Sequence, residues 1–84
     1  MHALTRLNLG DALASKGRGA EAIAQYAEVA RLRPNSVEAQ TRLAAALQRQ
    51  GRLGEAASHY AEAVRLAQRG EGLAIQAALE QMLQ

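Results

Sequence analysis

Apolar residues recur along this chain at intervals of three and four, the spacing of one face of a helix. Leu9, Ala12 and Leu13 form a first stripe, which ends at Gly17-Arg18-Gly19. A second stripe runs through Ala22, Ile23, Tyr26, Ala27 and Ala30. Pro34 ends it, because the residue before a proline is pushed out of the helical region. Asn35 then offers an N-cap, with Glu38 three residues on as its capping-box partner. The pattern starts again, with Gly51 as its next break. After Gly70 a fifth amphipathic stretch carries Ile75, Leu79 and Met82 at i, i+4 and i+7, with Ala74 and Ala78 beside them.

The restart is a repeat. Gly17-Arg18 and Gly51-Arg52 lie 34 residues apart, and the same offset relates Leu9 to Leu43, Ala12 to Ala46 and Leu13 to Leu47. It also relates Glu21-Ala22 to Glu55-Ala56, Tyr26-Ala27-Glu28 to Tyr60-Ala61-Glu62 and Arg31-Leu32 to Arg65-Leu66. Residues 3–36 and 37–70 agree at 12 positions. Self-similarity at a fixed period of this length marks a stacked-repeat architecture. The expected organisation is a single domain over 1–84: repeat one 3–36, repeat two 37–70, and a helix over 71–84 that caps the last exposed face, the alternative being a detachable helix that occupies the groove of a neighbouring chain.

Composition supports helices. The apolar residues are mostly Ala and Leu, strong helix formers, and Tyr26 and Tyr60 are the sole aromatics. Sheets favour β-branched and aromatic residues instead. There are no cysteines, which excludes a disulfide framework, a thiolate metal site and a Cys nucleophile. The formal charge is +2. Basic residues are nearly all Arg, a bias that points to a GC-rich bacterial gene. Arg31, Arg33, Arg65 and Arg69 sit near the expected ends of second helices, where cations suit the helix dipole. No stretch approaches the roughly 18 apolar residues of a membrane span. Met1-His2-Ala3-Leu4-Thr5-Arg6 lacks the apolar core of a signal peptide. A cytoplasmic protein without a membrane partner is the expectation.

With the motifs in view, the chain resembles the tetratricopeptide repeat family. That signature places Trp-x2-Leu-Gly-x2-Tyr in a first helix, Ala-x3-Phe in a second, then Pro, over 34 residues. Leu9-Gly10-x2-Leu13, Ala22-x3-Tyr26 and Pro34 follow it, as do Leu43-Ala44-x2-Leu47 and Ala56-x3-Tyr60. The resemblance implies an all-α, right-handed helix–turn–helix repeat array, an α-solenoid of five helices. Gly10 and Ala44 are small where two helices would touch, and Tyr26 and Tyr60 would fill the space between successive repeats. Two departures stand out. Arg6 and Gln40 occupy the Trp position, and Gln68 replaces the second Pro, so the last repeat helix should run on somewhat further.

The resemblance also implies a function: binding a peptide or helix of another protein in a concave groove lined by the first helix of each repeat. Its groove positions are Leu4, Leu7, Asp11, Ala14 and Ser15, then Glu38, Thr41, Ala45, Gln48 and Arg49. Leu4, Leu7, Ala14 and Ala45 would make an apolar strip, with Asp11, Glu38 and Arg49 as charge beside it. Such a surface suits an amphipathic helix or an extended apolar segment. The family's chaperone-tail clamp is absent, since Leu7, Asp11 and Arg42 stand at its Lys and Asn positions. The alternative is self-association, as a weak homodimer or a scaffolding piece of a larger repeat protein. Leu4 and Leu7 motivate it, because two repeats are fewer than the three usually needed for stability.

Other classes fare worse. An enzyme needs a nucleophile, a base and an orienting group, or metal ligands. Of the two histidines, His2 is near the terminus and His59 has Glu55 and Glu62 on its own helix, where surface salt bridging is commoner than a metal site. Asp11 with Glu38 reads as solvated groove charge. No catalytic activity, cofactor or metal is expected. Nor is nucleic acid, since RNA-reading helical repeats use a 35-residue period and base-reading polar positions.

Overall fold

The computed structural model describes residues 2–83, with the side chains of all of them except 71–76. It is a helix–turn–helix repeat array of four helices: α1 (Ala3–Ser15), α2 (Gly19–Leu32), α3 (Val37–Arg49) and α4 (Leu53–Leu83). Each helix packs on the next in sequence. No strand occurs among the described residues.

The breaks at Gly17 and Gly51 are built alike. Both glycines take left-handed backbone, φ 76° and 77°, which residues with a Cβ rarely adopt. The amide of Arg18 returns to Leu13 O at 2.9 Å and that of Gly17 to Ala14 O at 3.1 Å. Arg52 and Gly51 repeat these bonds to Leu47 O and Gln48 O. This double closure satisfies the last carbonyls of α1 and α3. Arg18 and Arg52 then reach forward to Glu21 and Glu55, each at 2.7 Å. The Gly-Arg-x2-Glu identity of the two repeats is therefore a helix stop followed by an ion pair in the first turn of the next helix.

The α2–α3 turn differs from expectation by one residue. The N-cap is Ser36, not Asn35: its Oγ accepts from Ala39 N at 3.1 Å. The residue three places beyond Ser36 is Ala39, so the reciprocal half of a capping box has no side chain to make it.

Among the described residues, repeat two's second helix and the expected capping helix after Gly70 run on as one continuous helix of 31 residues. The reason lies at Gln68. Its counterpart Pro34 ends α2, whereas Gln68 has an amide and no ring to clash. Gly70 and Gly72 weaken a helix by about 1 kcal/mol each relative to Ala but do not stop one. Leu79, Met82 and Leu83 are 54%, 81% and 87% exposed. Ala74 and Ile75 fall outside the described side chains.

The core is one cluster built from Leu7, Ala22, Tyr26, Val29, Ala39, Leu43, Ala46, Leu47 and Ala56. Alanines at 22 and 39 bring the helix backbones close, and both are fully buried. The buried positions of α1 are Leu7 and Gly10, not the Leu9–Ala12–Leu13 stripe. Leu9 and Ala12 are exposed and Leu13 is half-buried. Their counterparts Leu43, Ala46 and Leu47 are buried, because α3 packs on both α2 and α4, whereas α1 packs chiefly on α2. The tyrosines divide in the same way. Tyr26 is buried, whereas Tyr60 is at the surface, since no described helix follows α4 to close over it.

Candidate functional site

Between α1 and α3 lies a cleft of about 280 Å³ lined by Asp11, Ala14 and Ser15 from α1, Tyr26 from α2, and Arg42, Ala45, Ala46 and Arg49 from α3. Gly10 allows it to form. A Cβ there would fall 2.5 Å from Tyr26 Cε1, so its absence lets the tyrosine ring lie against α1. The ring is thereby directed to Asp11, and Tyr26 Oη donates to Asp11 Oδ1 at 2.5 Å. Arg42 Nη1 donates to Oδ2 of the same carboxylate, also at 2.5 Å. One carboxylate thus links three helices. Ser15 Oγ donates to the Asp11 carbonyl one turn back, at 3.0 Å.

Tyr26 is the group whose acidity this arrangement changes. Its pKa is pushed up to about 12, first by burial, then by its hydrogen bond to Asp11 and the charge of that carboxylate. Arg42 and Arg49 act in the opposite sense and are outweighed. A phenol whose folded pKa lies above its unfolded value near 10 stabilises the fold fully below that value. Its contribution is lost as pH rises from about 10 to 12. In an ultraviolet titration one tyrosine should therefore ionise near pH 12, and Tyr26→Phe should remove that step. A Tyr26 step at the ordinary phenol pKa would contradict the geometry.

Five of the ten sequence-derived groove residues line this cleft: Asp11, Ala14, Ser15, Ala45 and Arg49. Leu7 does not. It is 3% exposed and part of the core, because it lies on the face of α1 that packs on α2. It cannot contribute to an apolar strip for a ligand. Leu4 is exposed outside the cleft. Glu38 lies 3.9 Å from Arg42 at the rim. Thr41 Oγ1 donates to Val37 O at 2.8 Å. Gln48 faces α4 and accepts from Tyr60 Oη at 3.2 Å. Asp11 and Glu38 do not pair; both face Arg42.

Sequence reasoning missed Tyr26, Arg42 and Ala46 as cleft residues. Tyr26 read as a spacer between repeats, and Arg42 entered only as a mismatch to a clamp. The usable signal was the repeat register, which sets Ala45 opposite Asp11 and so leaves Tyr60 without a carboxylate partner.

His59 is likewise not salt-bridged as expected. Glu55 and Glu62 are taken by Arg52 and Arg65, and His59 Nδ1 lies 2.7 Å from Gln40 Oε1. Gln40 is 8% exposed and sits at the Trp position of the signature. A polar pair bridging α3 and α4 thus replaces an aromatic anchor. The 34-residue offset carries it onto Arg6 and Gln25 in repeat one, where Arg6 Nε and Gln25 Oε1 are buried without a hydrogen-bond partner. Among the described residues no group of three or more His, Asp or Glu side chains is placed to hold a metal. No described helix is long and apolar enough to cross a membrane.

Comparison with known proteins agrees with this fold. Residues 10–51 match a family model described as TPR repeat, and residues 37–73 match one described as tetratricopeptide repeat. Among the solved chains that match is one titled MamA MSR-1 C2, at 32% identity and a TM-score of 0.77. The alignment covers 82% of this chain and 40% of that one, so this chain spans two fifths of its relative's length. No curated protein matches.

Proposed function

This chain belongs to the tetratricopeptide repeat family, and from that premise we propose that it is a non-catalytic binding module whose cleft between α1 and α3 receives a segment of another polypeptide. Domains of this family mediate protein–protein interactions in general. The observation that carries the finer reading is the cleft itself: a floor of Ala14, Ala45 and Ala46 beside two arginines, Arg42 and Arg49. Small side chains leave room for the ligand's own side chains. The arginine planes offer paired donors to a carboxylate or to backbone carbonyls. Asp11 is already satisfied by Tyr26 and Arg42, so it shapes the wall and does not repel an acidic ligand at full strength.

The test is affinity capture from the native organism with the wild-type chain and with Ala45→Trp. Ala45 is half-buried on the cleft floor, and an indole there fills the space a ligand would occupy. A partner captured by the wild type should be lost, with the helical circular dichroism unchanged. A partner retained at equal yield by the folded variant would remove the cleft from consideration. Leu7→Glu is unsuitable for this purpose, because it would place a charge in the core.

A further inference from the structure

Two features of this chain complement each other and are held apart by its own geometry. The first is the end of α4. Every described residue from 77 to 83 is exposed, including Leu79, Met82 and Leu83. At about 100° per residue these three side chains share one stripe of the helix, with Glu80 on its edge. Residues 70–84 contain Glu71 and Glu80 and no Lys or Arg, whereas all ten basic residues lie before residue 70. The segment is therefore acidic and amphipathic, attached to a basic body.

The second feature is the cleft. Arg31 and Arg65 each pair with a glutamate on their own helix, Arg18 and Arg52 each with one in the first turn of the helix that follows, and Arg42 pairs with Asp11. Arg49, in the last turn of α3 at the cleft wall, has no salt bridge among the described residues. It stands beside the apolar floor of Ala14, Ala45 and Ala46. An unpaired cation next to small apolar residues is the counterpart of Glu80 next to Leu79 and Leu83.

The tail cannot reach this cleft in its own molecule. α4 packs on α3 and continues unbroken to Leu83. Its 31 residues give a rod about 46 Å long, against a longest molecular dimension of 53 Å. A second copy has no such constraint. We propose that the C-terminal end of α4 docks in the α1–α3 cleft of a second copy of this chain, with Leu79 and Leu83 on the alanine floor and Glu80 paired with Arg49. This deepens the binding reading above and rests on it: the ligand is an acidic amphipathic helix, and the nearest supply of one is the chain itself. Docking twice, reciprocally, closes a dimer with the same contacts on both sides.

Charge reversal tests it. By analytical ultracentrifugation the intact chain should show a concentration-dependent monomer–dimer equilibrium that weakens with salt. Arg49→Glu and Glu80→Arg, both at exposed positions, should each raise the dimer dissociation constant roughly tenfold or more, since like charges then face each other at both contacts. Mixing the two variants should restore dimer, because each mixed contact again pairs opposite charges, and the double variant should dimerise as the wild type does. Circular dichroism confirms that each variant is folded.

A chain that stays monomeric at millimolar concentration would overturn the proposal, and so would a dimer indifferent to both reversals. A monomer more compact than the rod-like shape would assign the tail to its own body, through a bend at Gly70–Gly72, and would also overturn it. None of these three results touches the Ala45→Trp capture, so a monomer whose captured partner is lost on Ala45→Trp refutes self-docking and leaves the binding cleft standing.

Discussion

Leu47→Ala should be the most damaging single truncation in the chain, lowering stability by about 2–5 kcal/mol. Leu47 is 2% exposed and, with Val29, is among the largest side chains buried completely. It lies on α3, which contacts both α2 and α4, so a cavity there removes contacts from two interfaces at once. A domain of this size has roughly 4–13 kcal/mol in all, from about 0.05–0.15 kcal/mol per residue. The loss is thus a large part of the total. Thermal unfolding followed by circular dichroism should show a midpoint lowered by more than about 10 °C. The repeat supplies the control. Leu13, 34 positions earlier, is half-buried, and the same truncation there should cost clearly less. Equal effects at the two sites would mean that burial is not what distinguishes them.

Gly10→Val should be the second most damaging change, for the opposite reason. The added Cβ would lie 2.5 Å from Tyr26 Cε1 and 2.9 Å from Cδ1 and Cζ. The ring cannot swing away cheaply, because it is 3% exposed and its hydroxyl is bound to Asp11. Overpacking of this kind costs about 1–3 kcal/mol, and the branch of valine adds bulk where Ala would bring one methyl. Better helix propensity recovers only a fraction of that, since Val is a modest helix former. Urea unfolding should give a lower midpoint. Gly54→Ala is the matched control with the opposite sign: nothing lies within 4 Å of its Cβ position, so removing a helical glycine there should stabilise by up to about 1 kcal/mol. If Gly10→Val left the midpoint unchanged, the close approach of Tyr26 to α1 would be wrong.

The repeat was legible because it is written in punctuation that acts locally. Gly17 and Gly51 need left-handed backbone, Pro34 ends a helix, and each acts within a turn of its own position. What was not legible depended on neighbours distant in sequence. Leu7 and Leu9 are both apolar residues of α1, and which of them is buried depends on where α2 lies. Leu9 reads like Leu43 until one knows that α1 packs chiefly on α2, whereas α3 packs on both α2 and α4. The fusion of the last two helices turned on Gln68, where a missing proline mattered more than two glycines. Of the cleft, the α1 and α3 positions Asp11, Ala14, Ser15, Ala45 and Arg49 followed from family register. Tyr26 did not, because its inclusion needs a close approach between helices that only Gly10 permits.

The Asp11–Tyr26–Arg42 linkage has a consequence for any segment lying in the cleft. Register places Ala45 where repeat one has Asp11, so the second repeat has no equivalent linkage, and Tyr60 turns to Gln48 instead. The backbone is duplicated, but the chemistry is not. One end of the trough is a charged, cross-braced wall, and the other carries alanine and the Arg49 guanidinium. A chain laid in it N-to-C and the same chain laid C-to-N would meet different partners. The site therefore has a polarity, and a ligand's orientation is specified along with its sequence.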